Sequence, residues 1–584
     1  MTEGPPDLPR EEHQSPQIDL PEDLRAANIK IALALSGGGY RAAAFHLGIL
    51  SYLQHIKLLP NLDRLSTVSG GTFTGAKYIL SLVENRPFSA FFNDFCTFLN
   101  KTNLIKQGLE DLNQESGQEL PGGRKLITSL ANVYARTFLA DSKDRPYTFG
   151  QILDADNIGV TEISFNATEF RTGLAFRFQK TFSKGARIGN GNVFIDREDA
   201  KKIRLADIVA ASSCFPGGFE PLAFPQDFKW PDQNVLARVT TAMAIPPDQQ
   251  PKYSCGTCEE SEAPVLTNTV ALMDGGIYDN QGIGSLLLAD GRKSNGLPDL
   301  IIISDTDPTD DNIFPYPKKT LSSGWLTLKH VNWLIYGALI TCFTTVVSSA
   351  FSLWSEVNQG TFDILKDFFP AFMPLVLSGL VTGTILYSSG QIRKLLKQVP
   401  NLGLESWQDL KTLKVNQFIY IMSLRVTSMS ALIRQVFMKR IRSLVLNQPY
   451  DNPIYDEALI MNRIDRLLTD SIDNVPHISG LENRLRTVIN SAACMPTTLW
   501  FDAKNVITIQ TATSDNKRIN ELDSLVIAGQ TTICFNLLQY ITNVYGRDPQ
   551  VYPEKIHGLW QDLRRDWQKL NANPCVLIEA LKNL

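Results

Sequence analysis

The stretch from residue 31 to residue 76 limits most sharply what this chain can become. It reads IALALSGGGYRAAAFHLGIL and then, after a short link, LSTVSGGTFTGA. Ile31 to Leu35 is an apolar run closed by Ser36 and by Gly37, Gly38 and Gly39, which suits a buried strand. Helical patterning follows from Tyr40 to about His55. A second apolar run ends at Val68, and Ser69 stands on the turn before another helical stretch. The order is strand, glycine loop, helix, strand, serine turn, helix. Glycines at a helix start let backbone N–H groups converge on an anion. The spacing is neither that of a P-loop nor G-x-G-x-x-G. Thr67-Val-Ser69-Gly-Gly71 approaches the G-x-S-x-G nucleophile elbow, with Thr67 where the first glycine is usual. Taken singly, each piece also fits a bland reading: a tight glycine turn, and a polar serine at a strand end.

At 584 residues the chain exceeds one ordinary domain, and two or three units are expected. A net charge of −4 argues against a dedicated nucleic-acid binder. Of the eight cysteines only Cys255 and Cys258 are close, as CGTC, and a single CxxC falls short of a four-ligand zinc site. No metal and no cofactor are expected. The opening MTEGPPDLPREEHQ has neither a basic n-region nor an apolar core, so no secretory signal is expected. Residues 1–28, rich in Pro, Glu and Asp, read as a disordered tail.

Further along, 84–150 reads as a mixed helical excursion, either a cap or a lid. Glu162 to Ala167 and Leu174 to Gln179 read as strands around a turn at Thr172-Gly173. Leu205 to Ser213 reads as a short helix stopped at Pro216-Gly-Gly218, and 225–265 as loop. Val270 to Met273 leads into Asp274-Gly-Gly276, and Leu300 to Ser304 is another buried strand. Alternating strands and helices predict an α/β layered fold with a mostly parallel sheet. Ser36, Ser69 and Asp274 then sit at carboxyl ends of strands, where such sheets hold their sites.

The SGGGYR loop, the TVSGGT turn and the MDGG turn, in that order, resemble the patatin-like phospholipase family. FNATEFRTG (165–173) and ASSCFPGGFEP (211–221) are also similar to family stretches, and the glycine loop is similar to that of the cytosolic phospholipase A group. The resemblance covers roughly residues 29–306. It implies a three-layer fold, a Ser–Asp dyad and hydrolysis of lipid acyl esters. By resemblance Ser69 is the nucleophile, Asp274 its base, and Gly37, Gly38 and Gly39 the oxyanion loop. Arg41 matches an arginine associated with the lipid phosphate; an ordinary structural ion pair is the alternative. Ala42 departs from a glycine common in the family.

A serine needs a base to become nucleophilic, and its tetrahedral intermediate needs N–H donors. The six histidines offer little. His13 lies in the tail, His46 and His55 on the helix after the loop, and His330 beside an apolar segment; a conventional triad would need His477 or His557. A dyad with Asp274 explains the scarcity. Asp279 and Asp305 are rival carboxylates, read as closing a turn and a strand.

Val331 to Ser355 and Phe368 to Gln391 carry no charge, and each is long enough to span a bilayer, which takes about 20 residues. Basic flanks and an acidic link predict a transmembrane hairpin with the catalytic part cytoplasmic. The alternative is a buried hairpin. Ser524 to Gly546, also uncharged, carries Gln530, Asn536, Gln539 and Asn543 and reads as a buried helix. From 404 to 470 helical patterning dominates. The expected organisation is a tail (1–28), a catalytic domain (29–325), a hydrophobic helical hairpin (326–392) and a helical C-terminal part (393–584), separate or completing the catalytic domain. The function expected is hydrolysis of membrane phospholipid or lysophospholipid esters at the bilayer, without nucleic acid. An acyltransferase and a silent lipid-binding scaffold are the other readings.

Overall fold

The computed structural model describes residues 21–113, 125–141, 143–181, 186–244, 268–291, 297–307, 328–358, 437–450, 457–469, 472–510 and 516–582, with isolated positions between them. They fall into two units, 1–311 with 438–584, and 312–437.

The first unit is built on a sheet. Strand β1 (Ile31–Leu35) is buried at every position and lies between β2 (Leu62–Val68) and β9 (Leu300–Asp305), parallel to both. An all-apolar run is what a strand covered on both faces requires. Strand β3 (Glu162–Glu169) extends the parallel set beyond β2, and β10 (Leu459–Arg463) extends it beyond β9. Past β3 the direction reverses. Strands β4 (Leu174–Lys180), β5 (Ile188–Gly189) and β6 (Phe194–Ile195) follow antiparallel, and β7 (Leu222–Phe224) pairs antiparallel with β8 (Val270–Asp274). The sheet is therefore mixed, where the alternation of elements predicted a mostly parallel one. Parallel neighbours need long crossovers, and β1, β2 and β3 have them. Only residues 170–173 separate β3 from β4, so that pair must reverse.

Helix α1 (Gly39–His55) is buried nearly all round, because α6 (Glu521–Tyr545) lies against it. A Cβ on Gly48 would stand 2.2 Å from the Val526 carbonyl oxygen, and one on Gly529 would stand 2.2 Å from that of Phe45. The two backbones touch there, and no side chain fits between them. Three of the polar residues that interrupt α6 find partners: Gln530 donates to Ser51 Oγ (2.9 Å), Asn536 to Asn462 Oδ1 (2.7 Å), and Gln539 accepts from Arg466 (3.0 Å). Helix α6 is long and apolar enough to cross a membrane, but it is 94% buried within the protein. Helix α7 (Glu554–Ala572) closes over it, with Trp567 against Phe535 (5.6 Å between rings).

Several expectations shift. Residues 21–28, assigned to the tail, are packed: Leu24 is 1% exposed and Arg25 pairs with Asp562 at 2.8 Å. The excursion after residue 84 buries Phe91, Phe92 and Phe95 in the main core. Within 404–470, helix α5 (Met438–Tyr450) gives way to β10, a five-residue run too short to stand out against helical patterning. The stretch 225–265 contains a helix, α3 (Gln233–Ala242), that starts on an Asp232 cap. Cys255 and Cys258 lie outside the described residues.

In the second unit, α4 (Leu328–Asn358) holds the first uncharged segment. Its window Ile335–Ser352 is only 6% buried. Eighteen residues rise about 27 Å, close to the hydrocarbon thickness of a bilayer. Trp333, Tyr336, Phe343, Phe351 and Trp354 are all exposed. The Thr341 and Thr345 hydroxyls donate to helix carbonyls, those of Gly337 and Thr341, so they need no water. The second segment, 368–391, lies outside the described residues apart from Ser378 and Thr382.

Candidate active site

Strand β3 determines which residues meet. Its Asn166 pairs with Val68, the last residue of β2, and its next residue, Ala167, pairs with Asp274, the last residue of β8. The first pairing is parallel and the second antiparallel. The carboxyl ends of β2 and β8 therefore run head-on along one edge of β3. Ser69 follows Val68 directly, so the serine turn and the aspartate are neighbours although about 200 residues of chain separate them.

Ser69 occupies φ +50°, ψ −116°, a conformation unfavourable for any residue with a side chain. It caps α2 (Gly70–Val83), and the partial positive charge of a helix start favours a developing anion there. Thr67, the departure from the elbow pattern, fits because Gly75 leaves room: a Cβ on Gly75 would stand 2.5 Å from Thr67 Cγ2. The Thr67 hydroxyl bonds that of Thr72 at 3.0 Å.

Asp274 is 6% exposed. It accepts a hydrogen bond from the Gly276 N–H at 2.7 Å, and the Ser69 hydroxyl is near enough to favour its ionised form. Burial pushes its carboxyl up to about 6, against the lowering effect of those two donors. A carboxylate with that value is largely ionised at neutral pH and basic enough to take a proton.

The glycine loop closes over the turn. A Cβ on Gly70 would lie 2.2 Å from the Gly39 oxygen and 2.7 Å from its nitrogen. Only a glycine after the serine allows the loop so near. Gly37 donates its N–H to the Asn280 carbonyl at 3.0 Å. The N–H groups of Gly38, at φ +138°, and of Gly39, at φ +60°, have no hydrogen-bond partner among the described residues.

The family profile described as patatin-like phospholipase matches residues 33–287, a span that holds the loop, Ser69 and Asp274. Residues 33–287 belong to the patatin-like phospholipase family. Among solved structures, human GIVD cytosolic phospholipase A2 is similar at 15% identity and a TM-score of 0.30, over 48% of this chain and 43% of that one. VipD from Legionella pneumophila is similar at 13% identity and a TM-score of 0.24, over 57% and 55%. The chain thus spans about half the length of these relatives. No curated protein matches it.

The surroundings of this site account for the remaining candidates. The Arg41 guanidinium donates to Asp307 Oδ1 (2.8 Å) and to the Met495 carbonyl (3.0 Å), and the residue is 6% exposed. Ala42 packs against Gly38 and Gly70. Asp279 accepts the N–H groups of Gln281, Gly282 and Gly284 and so closes its own turn. Asp305 accepts from Gln281 (2.8 Å) and from the Asp307 N–H (3.1 Å) at a strand end. His46 is fully buried between the Ser36 carbonyl (3.0 Å) and Ser304 Oγ (2.9 Å), and burial lowers its imidazole to about 4, so it is neutral. His477 and His557 instead flank Trp560. Among the described residues no group of three or more His, Cys, Asp or Glu is placed to hold a metal ion.

Sequence reasoning missed three supports. Ser212 Oγ accepts the Ser69 N–H (3.0 Å) and donates to the Asn166 carbonyl (2.7 Å). The Asn166 side chain donates to Ser66 Oγ and to the Thr67 carbonyl. The Thr168 hydroxyl donates to the Asp274 carbonyl (2.8 Å). All three residues lie in FNATEFRTG or ASSCFPGGFEP, which gave the signal without the roles.

Proposed function

We propose that the protein is a patatin-like serine lipid acyl hydrolase that cleaves carboxylic-ester bonds of phospholipids or lysophospholipids. The observation that carries this reading is the meeting of Ser69, on a strained elbow at the end of β2, with the buried Asp274 at the end of β8, beside two glycine N–H groups without partners among the described residues. Asp274 takes the Ser69 proton as Oγ attacks the ester carbonyl carbon. The oxyanion is held by the Gly38 and Gly39 N–H groups, with the start of α2 behind Ser69. Gly37, committed to Asn280, shapes the loop. Protonated Asp274 then delivers its proton to the leaving alkoxide, which leaves an acyl-Ser69 ester. Water, deprotonated by Asp274, hydrolyses that ester and restores the serine.

Apolar side chains on the same elements favour an acyl chain as the substrate's reacting half. Phe215 follows Cys214, whose carbonyl accepts the Asp274 N–H; Tyr278 follows the DGG turn; Phe170 directly follows β3; all three are exposed. The exposed apolar face of α4 supports a protein that works at, and is anchored in, a bilayer, with the 331–355 and 368–391 segments as its hairpin and the catalytic unit on the cytoplasmic side. The test is fatty-acid release from mixed-micelle phosphatidylcholine by wild type and Ser69→Ala in parallel. Release by wild type alone is expected; equal release by both overturns the assignment.

A further inference from the structure

One carboxylate beside the glycine loop has more partners than a loop residue needs. Asp307 lies just past β9. Its Oδ1 takes Arg41 at 2.8 Å, and its Oδ2 takes Arg442 of α5 and the Asn280 side chain at 3.2 Å. Each of these contacts leads back to the loop. Arg41 stands two positions after Gly39. Asn280 accepts the Gly37 N–H, and its Oδ1 would be 2.6 Å from a Cβ on Gly37. The neighbour Thr306 donates to the Gly37 carbonyl at 2.9 Å, and its N–H donates to Ser36 Oγ at 3.1 Å. The loop is thus held from the 305–307 corner.

The same carboxylate marks where the chain leaves and re-enters the first unit. Asp311 ends the unit's first stretch four positions past Asp307, and Met438 reopens it four positions before Arg442. In sequence Asp307 lies five positions before the 312–437 segment and Arg442 five positions after it, so one carboxylate joins the chain on both sides of that segment and also grips Arg41. Arg41 has little freedom to meet a headgroup: its side chain is 8% exposed, and its terminal nitrogens are taken by Asp307 and Met495.

We propose that Asp307 is a positioning residue for the glycine loop, and that Arg41 and Arg442 are the two struts by which it ties that loop to the roots of the 312–437 segment. The inference rests on the hydrolase reading of the loop. Arg41 then sets the direction of the Gly38 and Gly39 N–H groups and does not bind lipid phosphate. Loosening a strut misaims the oxyanion donors, so the loss falls on the chemical step and not on substrate capture.

The test uses the full chain in detergent micelles, with two substrates: a phospholipid and a phosphate-free monoacylglycerol ester. Each rate is normalised to the sites that a fluorophosphonate titrates. Arg442→Gln should lower kcat roughly tenfold on both substrates with KM nearly unchanged, as a misdirected donor does. Arg442→Lys, which keeps the charge, should recover much of it. Asp307→Asn should repeat the Arg442→Gln pattern. A rise in KM confined to the phospholipid would overturn the proposal and make Arg41 a headgroup ligand. Full kcat per titrated site in both Arg442→Gln and Asp307→Asn would overturn it while leaving the hydrolase intact. Labelling of Ser69→Ala at the wild-type rate would remove the hydrolase reading and this inference with it.

Discussion

At the scale of single residues, the site depends on an aspartate kept in an unfavourable place. Burial raises the Asp274 carboxyl to about 6 from an ordinary value of 3.8. In the proposed mechanism its ionised form takes the Ser69 proton, so kcat/KM should fall with acid, with a midpoint near 6; a pH–rate profile flat to pH 4.5 would exclude Asp274 as the base. The stability effect has the opposite sign. The folded state binds the proton more tightly than the unfolded chain, so ionisation costs the fold, fully above pH 6 and progressively less toward pH 4. A shift of that size corresponds to about 3 kcal/mol. Asp274→Asn keeps an oxygen for the Gly276 N–H. It should abolish nearly all turnover yet raise the unfolding free energy by about 1–3 kcal/mol at pH 8, with the gain shrinking below pH 5, as denaturant melts would read. The turns that hold Ser69 and Asp274 at strand ends were legible because small residues and glycines cluster around both. The engagement of Gly37 by Asn280 was not, since a backbone carbonyl leaves no mark in sequence. The neutral role of His46 was hidden too, because it depends on Ser304, 258 positions away.

At the scale of elements, close backbone approach is the recurring device. Gly70→Ala would push a methyl into the Gly39 backbone and displace the glycine loop. The expected result is a loss of at least ~10² in kcat, comparable to removing one oxyanion donor, with the circular dichroism spectrum unchanged. Gly48→Ala would wedge α1 from α6 and should destabilise by about 1–3 kcal/mol, read by thermal unfolding. Elements with strong local pattern were readable: β1 from five apolar residues, the β3–β4 hairpin from its Thr-Gly turn, α6 from an apolar run broken by amides. The direction of β8 was not, because its reversal follows from its pairing with the end of β3, which no local pattern carries. Strand β10 escaped for the same reason, since it belongs to the sheet only through β9.

At the scale of the whole chain, the 312–437 segment interrupts a unit that closes only when the C-terminal stretch returns. The exposed apolar face of α4 and the buried one of α6 have similar composition, and only packing tells them apart. Deleting 331–391 should release the protein from membranes into an alkaline wash; a deleted chain that stays with the lipid would contradict the anchor. The central claim, that Ser69 is a nucleophile activated by Asp274 under the glycine loop, is most directly tested by peptide mapping after treatment with a fluorophosphonate. One phosphonylated serine, Ser69, is expected in the wild type, with the adduct reduced to background in Asp274→Asn. An adduct on another serine, or undiminished labelling of Ser69 without Asp274, would contradict it.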